Sequence, residues 1–292
     1  VKILLAEHFG TCFGVRDAIA QAEQVATDQP LTILGELVHN PIVRERLRAS
    51  GIQEASPDAT GVASRRVMIT AHGTSDRNRE KWQTAGYDVV DGTCPLVRHA
   101  HEQLKRLVAA GYFPVVIGKS GHVEVRGLTG DFPDAYVVNT EADICTLPVR
   151  DRYGVISQTT QPLQHVRALV ATLRKFYPQA EVQFVDTICK PTKDRQAALQ
   201  DLIAKADTIV VIGGRHSNNT RQLVAACQSA GRRCIHVERP EELDSTDFRT
   251  VNTVGLTAGT STLRETVEAV LKRLEEFSSH QLKQSNQQQS HL

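Results

Sequence analysis

The chain has 292 residues, 40% apolar and 23% charged, with 34 Lys and Arg against 33 Asp and Glu for a net charge of +1. That length can bury a sizeable core in one large or two to three small domains, and the even charge balance excludes the polyelectrolyte footprint of a nucleic-acid binder. No apolar run approaches the roughly 18–20 residues that span a membrane, and six cysteines with no Cys-x-x-Cys pair exclude a disulfide scaffold, a zinc ribbon and a thioredoxin motif.

In chain order, Val1–Glu7 is too soon interrupted for a signal peptide and reads as a buried strand around Ile3-Leu4-Leu5. Gly10-Thr11-Cys12 follows, then a helical stripe of Val15, Ala18, Ile19 and Ala22, then the strand Ile33-Leu34-Gly35, with His39 four residues on. A further strand runs through Val67-Met68-Ile69 to His72. The pattern then restarts: Val89-Val90-Asp91, Gly92-Thr93-Cys94, a stripe of Val97, Ala100, Leu104 and Leu107, the strand Val116-Ile117-Gly118, His122, and the strand Val155–Thr159. It restarts again with Phe184-Val185-Asp186, Thr187-Ile188-Cys189, a stripe of Ala198, Leu202 and Ile203, the strand Val211-Ile212-Gly213, Ser217, and the strand Val254–Gly259. A last amphipathic helix carries Leu263, Val267, Val270, Leu271, Leu274 and Phe277, and the Gln/Ser-rich tail 278–292 has no apolar face and is expected to be disordered.

The Cys-to-Gly spacings are 23, 24 and 24, and each glycine is followed at four residues by His39, His122 or Ser217. Such recurrence marks an internal repeat. The expectation is an α/β fold of three similar lobes with parallel sheets, spanning 13–95, 96–188 and 189–277, with residues 1–12 completing the third. Packed pseudo-threefold, the lobes would bring Cys12, Cys94 and Cys189 to one central cavity, because parallel sheets bind ligands beyond the carboxyl ends of their strands. Three thiolates would hold a catalytic zinc or an iron–sulfur cluster with one open position; the alternative is three inert core thiols. Cys145, Cys227 and Cys234 fall outside the repeat and read as small core residues.

His39, His72 and His122 recur at strand ends, where imidazoles suit an anion. Ser217, Asn218 and Asn219 follow Gly213-Gly214 and lead into a helix, which makes either a phosphate site or an ordinary N-cap. Ser261 carries the same ambiguity. Glu124, two residues past His122, is a general acid if buried and a surface carboxylate otherwise. Thr159 ends its strand where His72 ends its own, and its hydroxyl could orient a substrate. His99 and His101 read as solvated on a charged helix.

As an ordered set, these residues resemble the 4-hydroxy-3-methylbut-2-enyl diphosphate reductase family. The likeness is carried by Gly10–Val15, Val38-His39-Asn40, Ala71-His72-Gly73, Thr93–Val97, Gly121–Val125, Gln158-Thr159-Thr160, Asp186–Cys189, Ser217–Thr220 and Thr257–Ser261, from residue 3 to about 275. The resemblance implies one [4Fe-4S] cluster per chain on Cys12, Cys94 and Cys189, with one iron left open to the substrate hydroxyl. It implies diphosphate binding by His39, His72, His122, Ser217, Asn219 and Ser261, with Asn218 beside them, and proton delivery by Glu124 with His122 and Thr159. The implied reaction spends two electrons and two protons and gives isopentenyl and dimethylallyl diphosphate. The electrons would come from a protein such as ferredoxin or flavodoxin, in the cytoplasm. Two departures stand out: Thr11 and Phe13 flank Cys12 where many relatives have Phe and Ala, and Asn218 stands where relatives often have Ser. A three-cysteine zinc hydrolase of a phosphorylated small molecule, and a phosphometabolite-binding protein with structural cysteines, are the other readings.

Overall fold

The computed structural model describes the backbone of residues 1–289 and the side chains of residues 1–279. The chain opens with β1 (Lys2–Leu5) and α1 (Phe13–Ala26). A first sheet comprises β2 (Leu31–Leu34), β3 (Gln53–Ala55), β4 (Arg66–Ile69) and β5 (Asp88–Asp91), with α2 (Pro41–Ala49) and α3 (Asp76–Thr84) in its connections. After α4 (Pro95–Ala109), a second contains β6 (Phe113–Ile117), β7 (Tyr136–Val138), β8 (Arg152–Ser157) and β9 (Glu181–Phe184), connected by α5 (Val123–Thr129), α6 (Glu141–Cys145) and α7 (Leu163–Phe176). After α8 (Lys190–Lys205), a third contains β10 (Thr208–Ile212), β11 (Arg233–Val237) and β12 (Thr253–Ala258), with α9 (Asn218–Ser229) between its first two strands and α10 (Arg264–Gln289) at its end.

The strand orders are β3-β2-β4-β5, β7-β6-β8-β9 and β11-β10-β12-β1, every pairing parallel. The N-terminal strand thus supplies the fourth strand of the last sheet, with Lys2–Leu5 beside Thr253–Leu256. The chain forms two compact units. One comprises Val1–Cys12, His39–Pro41 and Pro191–Leu292, with the β10 sheet; the other comprises Phe13–Val38 and Ile42–Lys190, with the other two sheets.

Central strands are apolar on both faces because helices cover both: all five residues of β10 are buried. On α4 the predicted stripe Val97, Ala100, Leu104 and Leu107 is buried, and Ala100 and Leu104 pack with Val116, Val125 and Ile156. Each buried aliphatic side chain of this kind contributes about 1.5–3 kcal/mol by leaving water. Among the described residues, no helix is long and apolar enough to cross a membrane.

In each sheet the strand order reverses direction between the first and third strands, at β2/β4, β6/β8 and β10/β12. A crevice opens at such a point, beyond the carboxyl ends of both strands. The expected strands through His72, Thr159 and Gly259 stop short, at Ile69, Ser157 and Ala258, so these residues lie on the crevice loops rather than in the ladders.

Three expectations are corrected. His101 is buried at 8% exposure, and burial holds its pKa below the ordinary imidazole value although Asp131 and Asp76 oppose that shift and Lys105 and Arg79 add to it. Its polar neighbours in sequence hid its place beside Ala100 and Leu104 on the inner face of α4. Cys145 is exposed at the end of α6, a five-residue helix too short to bury every turn, and its thiol points to the Glu141 carbonyl at 3.5 Å. The tail from Ser278 continues α10 to Gln289, since Gln, Lys and Leu propagate an existing helix without a new nucleus; residues 290–292 lie outside the described residues.

Candidate functional site

Each of the three repeat cysteines stands between the edge strand of a sheet and the first residue of a helix. Cys94 lies three residues past β5, Cys189 five past β9 and Cys12 seven past β1, and α4, α8 and α1 begin at the next residue. Each backbone N–H donates, at 3.0 Å, to the carbonyl two residues past the third strand of its own sheet: Cys94 to Ala71, Cys189 to Thr159, Cys12 to Thr260. All three are half-buried cysteines at helix N-termini, whose peptide dipoles favour an anion. Gly14 is packed against one of them: a Cβ there would stand 2.4 Å from Cys94 Sγ, so only glycine leaves that sulfur its place.

In the unit that carries Cys94 and Cys189, the structure brings together Glu124, Thr159, His122 and His72. Glu124 lies in the first turn of α5 and is 1% exposed. Its Oε1 accepts the Thr159 N–H at 2.6 Å. Burial pushes its pKa up to about 7, against the opposing pull of the Thr159 amide and hydroxyl. A carboxyl that titrates near neutrality can give up a proton at working pH. His122 caps α5, its Nδ1 accepting the Glu124 N–H at 3.2 Å, which makes Nε2 the protonated nitrogen of the neutral ring. The His72 ring meets the His122 ring edge to face, with centroids 5.6 Å apart.

The other unit gathers neutral donors around the β10/β12 crevice. Gly213 turns the chain at φ +145°, where a Cβ would strike the Thr220 and Thr262 hydroxyls. Ser217 caps α9, its Oγ accepting the Thr220 N–H at 3.4 Å, so the bland N-cap role predicted as an alternative is present. Asn218 and Asn219 in the first turn are buried, as is Ser261. The Asn219 Oδ1 accepts the Thr260 N–H at 3.0 Å, while its Nδ2 is buried with no partner among the described residues. The His39 backbone is fixed here as well: its carbonyl would meet a Cβ on Gly214 at 2.3 Å and accepts the Ser261 hydroxyl at 3.4 Å, and Asn40 Nδ2 donates to the Ser261 carbonyl at 2.6 Å.

Gly14 and Asn40 were not singled out from sequence, although both flank residues that were. Cys227 is buried on α9, with half-buried Cys234 of β11 against the same core. The thiol–thiol hydrogen bond and burial raise the Cys227 pKa, so this pair stays protonated at the Cys227 sulfur and is a poor source of ligands.

The LytB protein family matches residues 3–275. The 4-hydroxy-3-methylbut-2-enyl diphosphate reductase of Geobacter sulfurreducens is 35% identical over 280 residues, covering 95% of this chain and 98% of that protein. The enzyme of the same name from Aquifex aeolicus is 33% identical, covering 97% and 99%. Among solved structures, the E-1-hydroxy-2-methyl-but-2-enyl-4-diphosphate reductase of Plasmodium falciparum superposes with a TM-score of 0.85 at 26% identity, covering 93% of this chain and 87% of that one. A second, described as (E)-4-hydroxy-3-methyl-but-2-enyl diphosphate reductase, gives 0.69 at 33% identity, covering 94% and 99%. With a family match across almost its whole length and relatives of that name at a third identity, this chain belongs to the LytB family of 4-hydroxy-3-methylbut-2-enyl diphosphate reductases.

Proposed function

We propose that the chain reduces (E)-4-hydroxy-3-methylbut-2-enyl diphosphate to isopentenyl and dimethylallyl diphosphate, with Cys12, Cys94 and Cys189 holding one [4Fe-4S] cluster. The observation that carries this reading is the threefold recurrence of a half-buried thiol whose N–H is tied at 3.0 Å to the matching strand-end carbonyl. The donor set fits the group: thiolates are the ligands of such clusters, three of them leave one iron open, and the Cβ-free space at Gly14 keeps Cys94 Sγ unobstructed. When bound, the cluster supplies the electrons and a Lewis-acidic iron.

The chain's own residues supply the rest. Hydroxyl is a poor leaving group and needs a proton to depart as water. Glu124, with its pKa near 7, holds that proton at a carboxyl kept in place by the Thr159 N–H. Thr159 orients the substrate hydroxyl, and His122 Nδ1 accepts the Glu124 N–H. The C–O bond breaks, one proton leaves with the oxygen, and the allylic carbon skeleton takes two electrons and the second proton. The diphosphate is bound by the imidazoles of His39, His72 and His122, the hydroxyls of Ser217 and Ser261, and the amides of Asn218 and Asn219; the unpartnered Nδ2 of Asn219 supports this assignment. An electron-carrier protein such as ferredoxin or flavodoxin delivers the electrons, in the cytoplasm.

The test is iron, sulfide and zinc analysis with a visible spectrum on anaerobically purified protein, followed by reductant-dependent turnover of the allylic diphosphate. About four iron and four sulfide per chain are expected. One zinc in a colourless protein with reductant-independent hydrolysis would overturn the proposal.

A further inference from the structure

The three cysteine loops are braced differently. Three residues before Cys94 stands Asp91, whose carboxylate accepts the Thr93 N–H at 3.0 Å and the Thr93 hydroxyl. Three residues before Cys189 stands Asp186, whose Oδ1 accepts the Ile188 N–H at 3.1 Å. In both, an Asx turn closes the loop just ahead of the cysteine. The residue three before Cys12 is Phe9, which has no side-chain acceptor, and this loop is the longest of the three, seven residues from β1.

A different side chain reaches that loop. Arg195, on α8 and 6% exposed, donates through one guanidinium nitrogen to the carbonyl of Gly10 and, at 3.5 Å, to that of Phe9. Its other terminal nitrogen donates at 2.8 Å to Pro191, two residues after Cys189. The corresponding positions, six residues after Cys12 and Cys94, are Ala18 and Ala100. On the opposite side the loop is tied to β12 and its exit by Gly10 N–H to Ala258, Cys12 N–H to Thr260 and the Thr11 hydroxyl to Thr262.

We propose that Arg195 is the positioning residue for Cys12, its planar fork doing for that loop what Asp91 and Asp186 do for Cys94 and Cys189. A planar guanidinium reaches carbonyls in two directions at once, and a lysine ammonium does so poorly. The consequence for the ligand set rests on the cluster reading above; the brace itself does not.

Hydrogen exchange on the full chain, with and without the cluster, tests the brace. Arg195→Met is expected to speed exchange across residues 6–13 by about tenfold or more, as losing a charge-assisted bond implies, with amides of β10 unchanged. Anaerobic iron loss to a chelator is expected to accelerate in parallel, and Arg195→Lys to fall between variant and wild type in both. Unchanged exchange over 6–13 in a folded Met variant would overturn the brace. If the Met variant fails to fold, full wild-type protection in Arg195→Lys would overturn the fork. Faster exchange with unchanged iron loss would overturn the link to Cys12. Wild-type iron content separates these outcomes from failure of the cluster reading itself.

Discussion

Replacing Glu124 with Gln tests whether burial alone sets the proton inventory of this site. Gln keeps an Oε1 for the Thr159 N–H, which now lies 2.6 Å from the carboxylate, and removes only the titratable charge. The folded carboxyl titrates at about 7 against 4.5 in the open chain, so at 1.36 kcal/mol per unit its ionisation destabilises the fold by about 3 kcal/mol at pH 8. The sign follows from the raised value. Below pH 4.5 both states hold the proton and nothing is lost; between there and pH 7 the unfolded chain sheds it first, so stability falls as pH rises; above pH 7 the loss is complete. Glu124→Gln should therefore gain on the wild type by about 3 kcal/mol between pH 4.5 and pH 8, read as the difference in urea unfolding free energy at matched iron content. Its turnover should fall by about 10²–10⁴, because the proton donor is gone. A stability difference that is the same at both pH values would refute the burial argument, whatever happened to activity.

Gly14→Ala places a methyl 2.4 Å from Cys94 Sγ, so bound iron per chain should fall sharply while far-UV circular dichroism stays close to wild type. Full iron loading in that variant would show the sulfur free to move aside. Asn219→Asp keeps the acceptor for Thr260 N–H but exchanges the buried Nδ2 donor for a second anionic oxygen; calorimetry with inorganic pyrophosphate should show affinity lower by about two orders of magnitude. Unchanged affinity would remove Asn219 from the diphosphate set. Cys145→Ala, at an exposed thiol, should leave iron content unchanged and stability within about 0.5 kcal/mol of wild type.

The sheets were legible because their central strands are buried on both faces, and a buried parallel strand leaves a short β-branched run such as Ile209–Ile212, here closed by Gly213-Gly214. The spacing of cysteine, glycine and polar residue added the recurrence of the unit. The edge strands were harder. β3 and β7 have three residues each, too few to show any period, so the sequence alone marks no strand there. His101 illustrates the converse. A polar residue among Arg98, His99 and Glu102 gives the pattern of a solvated face, while its phase on α4 matches that of Ala100 and Leu104 and puts it inside.

In the site, what could be read were positions that repeat; what could not were the partners that hold them. Glu124 was visible as a carboxylate beside a recurrent histidine, but its raised pKa comes from burial that only the folded chain provides, against the opposing pull of Thr159, 35 residues away. Asp91 and Asp186 were visible as the ends of apolar runs, and their work becomes plain only when each carboxylate is seen to accept the N–H just ahead of a cysteine. The same comparison shows why Arg195 leaves no local signal. The Cys12 loop lacks the aspartate of its two counterparts, and the compensating group comes from a helix more than 180 residues later in the chain. A repeat read along the sequence therefore reports the shared function of its units most clearly, and it hides the places where one cysteine loop is braced by a group its counterparts lack. Cys12 is the one whose loop is held by a side chain distant in sequence, which makes that loop the most informative place to perturb.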